Sequence, residues 1–365
     1  LVGDDRQLPP VGPGGAFGAI IRRVGSKDLS RVSRQKDACG QRATGSIAAG
    51  DVESFLRTYA GKGFLTTAPA RGELEQSLLK DWKSAGGALQ PESHVIAAST
   101  NEQVDQYNRA AQQIRMAEGL LDARRALEVG PETFYVGDRI TFQKNSRKLG
   151  VYNGDSGTVL YVKDWGFTKA IAVKLDLPER SAGTVAKEVV LHTARQLLRA
   201  ARKRKTYRYD PNSYDVRIIP IRSYLGQHKF IAGDGPGDGP GDGPGDRAPL
   251  RLAYAFTTHK LQGATIDHTY VALGDSMTDR EMAYVQGSRH RNSLRLYATE
   301  YAAGEKLTQL AKAGQSPGDA ELPRERAASP LDSPLVKEMQ RSRKRSLAYD
   351  LDHDPLPADE WRPEH

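Results

Sequence analysis

Residues 94–116 constrain the fold most. "HVIAAS" (94–99) is an apolar run of strand length, set between Pro91 and the polar "TNEQ", and an amphipathic stretch follows from about Glu102 to Met116. Strand, polar turn and helix in that order make the half-unit from which parallel α/β sheets are assembled. Pieces of the same kind lie on both sides. Apolar spacing predicts helices around Gly18–Val24, over Asp51–Tyr59 and over Gly72–Ser84. Further along, "LAYAF" (252–256), "HTYVAL" (268–273) and "SLRLYA" (293–298) read as strands, and "REMAYVQGS" (280–288) as a helix.

Residues 131–250 change character. "YVGDRITFQKN" (135–145), "VYNGDSGTVLYV" (151–162) and "KAIAVKLD" (169–176) are short alternating strands parted by Gly, Asn and Asp, as in a small β-barrel or sheet. Asn153-Gly154-Asp155 is a strong turn signal, because Asn and Gly tolerate positive φ. Residues 187–208 read as a strand running into a basic helix. The tandem repeat "GDGPGDGPGDGPGD" (233–246) has nothing to bury and is expected to be a flexible loop. Its Asp residues lack the apolar positions of calcium-binding repeats. A β-rich piece thus interrupts an α/β domain.

Lys and Arg number 53 against 45 Asp and Glu, a net charge of +8. A basic balance favours a polyanionic partner, since each cation set on a phosphate releases counterions. No stretch is long and apolar enough to span a membrane, and residues 1–30 do not read as a signal peptide. A single cysteine, Cys39, rules out an internal disulfide, and a cytoplasmic location is expected.

Four stretches carry chemistry. "GDDRQLPPV" (3–11) places Gln7 where a strand would end, the edge at which open α/β sheets bind ligands. "SRQKD" (33–37) supplies Arg34, and "YVQGSRHRNSLRLY" (284–297) supplies Arg289 between a helix and a strand. Guanidinium groups stabilise the negative charge that spreads over a transferring phosphoryl group. Alone, each of these residues fits a plain turn or a surface ion pair. "YAFTTHKLQGATID" (254–267) puts Thr257, Thr258, His259, Lys260 and Gln262 in one loop that ends on Gly263, where a backbone can approach a phosphate closely.

Taken in order, these stretches resemble the later motifs of superfamily 1 helicases of the RecD-like branch. "GD-x-x-QLPPV" resembles motif III, "RQKD" the arginine motif after it, "YA-x-T-x-HK-x-QGAT-x-D" motif V and "YV-x-x-SR-x-R" motif VI. "VIAASTNEQVDQYN" is similar to the first strand of the second RecA-like domain. "VGDRITFQKN…VYNGDSGTV" is similar to that branch's β-barrel insertion. The tail "LVKEMQRSRKRSLAYDL" (335–351) resembles the ends of MobF-type conjugative relaxases.

The resemblance implies an α/β, RecA-like P-loop NTPase fold with an inserted small β-barrel. Residues 1–90 would be the remnant of a first RecA-like domain, 91–130 with 251–302 the second, 131–250 the insertion, and 303–365 a mostly extended tail with a short helix. It implies a γ-phosphate site of Gly3, Asp4, Gln7, Arg34 and Arg289, with Gln7 as phosphate sensor and the two arginines on the γ-phosphate. It also implies contacts to single-stranded DNA from Thr100, Asn101, Thr257, Thr258, His259, Gln262 and Gly263. Gly287 departs from the family pattern, in which a larger apolar residue is usual, and is expected to loosen the turn that aims Arg289.

No G-x-x-x-x-G-K-[ST] string occurs, and "AGKGFL" (60–65) has neither its spacing nor its hydroxyl. The Asp-Glu pair that holds Mg²⁺ in the family lies upstream of motif III. The expectation is therefore the C-terminal part of an ATP-dependent 5′→3′ DNA helicase, the helicase half of a conjugative relaxase, starting on a strand stump at Leu1-Val2. ATP and Mg²⁺ would be held with the missing N-terminal half as partner, and this chain alone would hydrolyse no ATP. The other readings are a non-catalytic single-strand-binding or docking module and a RecD-type recombination-repair subunit. The insertion's aromatics (Tyr135, Phe142, Tyr152, Tyr161, Trp165, Phe167) offer base stacking or barrel core, and Arg195–Arg208 a backbone track or a solvated helix face.

Overall fold

The computed structural model describes residues 3–4, 6–8, 16–27, 34–129, 131–145, 151–164, 168–176, 216–224, 227–230, 250–273, 278–315 and 330–341. In chain order its elements are α1 (Ala16–Val24), α2 (Ala38–Ala49), α3 (Val52–Gly61), β1 (Leu65–Ala68), α4 (Arg71–Ser84), β2 (His94–Ala98) and α5 (Asn101–Ala117). The strands β3 (Asp122–Val129), β4 (Glu132–Val136), β5 (Arg139–Phe142), β6 (Ser156–Asp164), β7 (Thr168–Leu175), β8 (Val216–Tyr224), β9 (Gln227–Phe230), β10 (Leu250–Leu252) and β11 (Ala255–Thr257) follow. The chain continues with α6 (Thr258–Leu261), β12 (Ile266–Ala272), α7 (Arg280–Ser288), β13 (His290–Thr299), α8 (Glu300–Gln315) and α9 (Pro334–Gln340). Leu1-Val2, the GPGD repeat and Arg195–Arg208 lie outside the described residues.

The chain divides into two compact units. The first comprises Leu1–Ser77 with Leu261–His365, the second Leu78–Lys260. In the first unit β13 pairs in parallel with β1 on one side and β12 on the other, with Leu65 opposite Leu296 and Val271 opposite Leu296 across the other edge. Ile47, Phe55, Leu56, Leu65, Leu294, Leu296 and Leu307 are buried in this unit. Burying such side chains contributes about 1.5–3 kcal/mol each.

Helix α2 has no clear apolar stripe, and the sequence reading assigns no helix there. Its ends explain it. Asp37 Oδ1 accepts from Gly40 N at 2.8 Å, and Gly50 closes the helix at φ 86°. A carboxylate at the N-cap and a left-handed glycine after the last turn satisfy the orphan backbone groups of a helix. The tail expected from 303 to be mostly extended, with one short helix, instead begins with the sixteen-residue α8, which bends at Gly304 (φ 73°, ψ 165°). Helix α9 follows, with Leu335, Val336 and Met339 buried. Both helices keep apolar faces covered, which an extended tail cannot do.

In the second unit β2 and β11 pair in parallel, with Ile96 opposite Ala255. Six strands form an antiparallel sheet in the order β10-β5-β6-β7-β8-β9, and β3 and β4 form a separate hairpin. Strands β5, β6 and β7 fall on the stretches whose alternating patterning predicts strands. The sheet runs open from β10 to β9, with no pairing that closes it among the described residues.

"LAYAF" divides into two strands. Leu250–Leu252 pairs antiparallel with β5, whereas Ala255–Thr257 pairs parallel with β2. Asn108 of α5 holds the step, its Oδ1 accepting from Tyr254 N and Ala255 N at 2.8 Å each. The buried Tyr254 ring packs edge-on to Trp82, with centroids 6.3 Å apart. Its hydroxyl donates to the fully buried Asp138 at 2.6 Å and accepts from Arg115 at 2.9 Å.

Candidate functional site

In the first unit the loop holding Gln7 is organised by Asp4. Asp4 Oδ2 accepts from Gln7 Nε2 at 3.1 Å and from the Tyr284 hydroxyl at 3.0 Å, and Oδ1 accepts from Arg6 N at 3.1 Å. Leu8 anchors the same loop by packing on Met282 and Val285 of α7. Burial, and after it the negative charge of Asp4, pushes the Tyr284 phenol above its ordinary value, so it remains a donor. Gly3 is a packing requirement, because a Cβ there would stand 2.8 Å from the Phe17 ring.

Arg34 is carried to the same region by a short passage bonded along residues 288–291. Gln35 Nε2 donates to the carbonyls of Ser288 (3.1 Å) and His290 (2.9 Å), and Lys36 N donates to Arg291 O at 3.0 Å. Arg34 then donates through Nη1 to Ser288 O at 2.7 Å and through Nε to Thr265 Oγ1 at 3.1 Å.

Arg289, the C-cap of α7, is only 1% exposed, and its Nε donates to Val285 O at 3.3 Å. Its guanidinium is held below its ordinary value by burial first and by the charge of Arg34 second, while Tyr284 and Asp4 oppose the shift. An arginine so displaced is still charged near neutral pH. No carboxylate forms an ion pair with Arg289 among the described residues.

Gly287 is closely packed by α2 and α3. A Cβ at that position would lie 3.0 Å from Phe55 Cζ and 3.5 Å from Ile47 Cδ1. The bulk that the family pattern places at 287 arrives here from α3. Next to Arg289, His290 is equally buried, and burial first, then Arg34, hold its pKa down to about 4 against an opposing pull from Asp37. Its Nε2 shares a hydrogen bond of 3.3 Å with the Tyr59 hydroxyl.

Of the residues read from three distant segments, Asp4 and Gln7 are directly bonded, and Arg34 and Asp4 each act on Arg289 through their charge. Tyr284, Thr265 and Gln35 complete the group and were not singled out in the sequence. Tyr284 opens the "YV-x-x-SR-x-R" stretch and Gln35 stands in "RQKD", but neither is assigned a role there.

The residues predicted for single-stranded DNA are distributed over the chain's passage from the second unit to the first. Thr100 N-caps α5, its hydroxyl accepting from Gln103 N at 3.3 Å within a capping box, and Asn101 is exposed in the first turn. Thr257 ends β11 half-buried, whereas Thr258 is fully buried and its hydroxyl donates to Ala98 O at 3.3 Å. His259 and Lys260 are exposed, and Lys260 Nζ donates to Gln143 Oε1 at 2.6 Å. In the first unit Gln262 Nε2 donates to Leu8 O at 3.5 Å, tying this loop to the one holding Gln7. Gly263 adopts φ 88° with nothing within 4 Å of a Cβ position.

A separate cavity of about 460 Å³ in the second unit is lined by Asp105, Arg109, Gln112, Glu132 and neighbours, and none of the predicted site residues lines it. No cluster of three or more His, Cys, Asp or Glu able to hold a metal ion occurs among the described residues. No helix among them is long and apolar enough to cross a membrane.

Comparison with known proteins bears on this geometry. Residues 1–70 match the AAA_30 family model, an AAA domain. The conjugal transfer protein TraA of Agrobacterium fabrum is 27% identical over 299 residues, which are 81% of this chain and 22% of that protein. The chain is similar to TraA. The probable conjugal transfer protein TraA of Sinorhizobium fredii is 26% identical over 314 residues, 85% of this chain and 23% of the relative. The chain thus spans less than a quarter of the length of these curated TraA relatives. Among solved structures, the Pif1 helicase from Candida albicans has 17% identity and a TM-score of 0.44, covering 80% of this chain and 62% of that one. The Pif1 helicase from Bacteroides in complex with ADP-AlF3 and ssDNA has 16% identity and a TM-score of 0.40, covering 80% and 60%.

Proposed function

We propose that this chain is the part of an ATP-driven 5′→3′ DNA helicase that completes the nucleotide site, within a conjugative relaxase of the TraA kind. The observation that carries the reading is the convergence of Asp4–Gln7, Arg34 and Arg289. Two guanidinium groups that repel one another, one of them nearly sealed from water, form a site whose electrostatic strain an anion relieves. A terminal phosphoryl group fits that chemistry, because charge develops on its oxygens during transfer. The similarity to TraA over about four-fifths of the chain supports the setting in DNA transfer.

Each residue then has a task. Gln7, held by Asp4, orients the attacking water. Arg34 and Arg289 hold the charge that develops on the phosphoryl oxygens. ATP, when bound, supplies the phosphoryl transfer that drives movement. Its phosphate cradle and Mg²⁺ ligands are assigned to residues outside these 365, since no P-loop string is present. In the first unit the exposed Gln262, with the open Gly263 backbone, follows the phosphates of a single strand, and in the second unit His259 is exposed for the same task. Because Gln262 also bonds to the carbonyl of Leu8, a shift of the strand-binding loop reaches the loop that holds Gln7.

The test is single-strand-stimulated ATP hydrolysis by the intact protein that carries both this chain and a P-loop. Arg34→Ala and Gln7→Ala should each lower kcat by about a thousandfold or more while nucleotide binding persists. An unchanged kcat in Arg34→Ala overturns the assignment.

A further inference from the structure

The antiparallel insertion contains aromatic side chains that the nucleotide site does not use. Phe142 is fully buried and Tyr135 half-buried at the rim of the cavity beside α5. Tyr161 is half-buried with the Arg125 guanidinium 5.3 Å from its ring centroid. Trp165 and Phe167 lie outside the described residues. Tyr152 differs from these, with 62% of its surface exposed directly after the fully buried Val151.

That exposure is built into the turn. Tyr152 N donates to Asp155 Oδ2 at 2.8 Å, and Asn153 N donates to Asn145 Oδ1 at 2.7 Å. Gly154, at φ 96°, donates from its N to Phe142 O at 2.9 Å, and Phe142 N donates back to Asp155 O at 2.9 Å. These bonds fix the backbone on both sides of the ring while Val151 fills the core beneath. The turn is pinned, so an exposed ring here loses little further freedom on meeting a ligand.

The surroundings are basic and belong to the candidate strand-binding segment. Lys144 is exposed on the neighbouring strand end, and Gln143 beside it accepts from Lys260, the lysine of "THKLQGAT". The carboxylate of Asp155 in the same turn is engaged by the Tyr152 amide. A second exposed tyrosine shows the contrast. Tyr301, 85% exposed, lies in the first turn of α8 beside the Glu300–Lys312 ion pair of 2.8 Å, where the neighbouring cation is already matched by a carboxylate.

We infer that Tyr152 is a base-stacking platform for single-stranded DNA, with Lys144 and Lys260 holding the phosphates on either side of the stacked base. A flat ring presented beside cations suits a nucleobase of any identity, because every base offers a π-face. The inference rests on the proposed DNA-binding function and adds the insertion to the strand's path.

The experiment measures binding of the 365-residue chain to fluorescein-labelled oligothymidine by anisotropy, over a series of salt concentrations. Tyr152→Ala should weaken binding about 5- to 150-fold, the span of single-base stacking on an aromatic. The salt slope should stay unchanged, since no charge is lost. Tyr152→Trp should restore affinity, and Lys144→Ala should lower the slope by about 0.7. An oligomer of abasic deoxyribose phosphate should bind wild type and Tyr152→Ala equally. Thermal melting of Tyr152→Ala should match wild type, which separates lost stacking from lost folding. If wild type binds oligothymidine and Tyr152→Ala binds as tightly, the stacking role falls and the DNA-binding function stands. If wild type binds no DNA at low salt, both fall.

Discussion

The Tyr284 hydroxyl donates to Asp4 Oδ2 at 3.0 Å, across 280 residues of sequence. This bond fixes the carboxylate that in turn holds Gln7. Tyr284→Phe keeps the ring and removes the donor. It should cost about 1 kcal/mol, the net worth of a partly buried hydrogen bond, read as a lower urea midpoint at unchanged slope. Asp4→Ala should cost at least as much, because it frees both Tyr284 and Gln7. If Tyr284→Phe is as stable as wild type while Asp4→Ala is not, the organising role belongs to the carboxylate alone.

Arg34 and Arg289 together should bind a small polyphosphate in the absence of any P-loop. Pyrophosphate at ten times its dissociation constant should stabilise the folded chain by about 1.4 kcal/mol, seen as a rise in Tm. Arg34→Gln should abolish most of that rise. Arg34 is the better probe, since its side chain reaches solvent, whereas truncating the buried Arg289 disturbs packing. A pyrophosphate effect that survives in Arg34→Gln would assign the anion to some other part of the surface.

His290 should make the first unit sensitive to acid. Its folded pKa of about 4 lies below the ordinary value of 6.5, so the fold favours the neutral ring. Above pH 6.5 both states are neutral and the group contributes nothing to pH dependence. Below it the unfolded chain takes up a proton that the fold refuses, and stability falls until about pH 4. Between pH 7 and pH 5 the loss is about 2 kcal/mol. His290→Gln should be less stable at pH 7 but should lose less between those two pH values. An equal loss in both proteins would place the acid sensitivity elsewhere.

The elements that could be read from the sequence are those whose own residues carry the pattern. Strand β2 and helix α5 show an apolar run followed by helical spacing, and Thr100 with Gln103 supplies the capping box between them. Helix α2 is not legible in the pattern because "ACGQRATGSIAA" is built mostly of small and polar residues, and its limits come from Asp37 and Gly50 at the ends. "LAYAF" reads as one strand. Its division depends on Asn108, far away in sequence, which binds the backbone at Tyr254 and Ala255. The site shows the same limit. Arg34 and Arg289 stand in motifs with a chemical reason for a cation, whereas Tyr284 opens the Arg289 motif with no evident task until Asp4 is placed beside it.

Asp138 should be among the least replaceable residues of the second unit. It is fully buried, and every partner is a donor: Tyr254 Oη at 2.6 Å on one oxygen, Tyr135 N at 2.8 Å and Gln112 Nε2 at 2.7 Å on the other. An asparagine turns an NH₂ toward one of these donors whichever way it faces. Asp138→Asn should therefore cost about 2–4 kcal/mol. Tyr254→Phe should cost less, about 1–2 kcal/mol, since Arg115 keeps its bonds to Gly137 O and Ala88 O. Urea denaturation gives both numbers. Near-wild-type stability in Asp138→Asn would show that the buried group is already protonated, the direction in which burial pushes it.

Gly263 separates backbone strain from crowding, because its φ of 88° is left-handed and no atom lies within 4 Å of a Cβ position. Any loss on substitution then comes from the backbone alone. Gly263→Ala should destabilise by about 1 kcal/mol, Gly263→Asn by less, since asparagine enters the left-handed region more readily, and Gly263→Val by more. Oligothymidine affinity gives a second, independent reading. If a phosphate approaches the bare backbone here, Gly263→Asn should weaken binding by more than its small stability cost accounts for, because its side chain occupies the open space. Stability falling in the order Gly, Asn, Ala, Val with affinity unchanged throughout would leave the turn as drawn and remove Gly263 from the strand's path. An alanine variant as stable as wild type would mean that the loop does not need its left-handed residue, and the geometry assigned to "LQGAT" would fall with it.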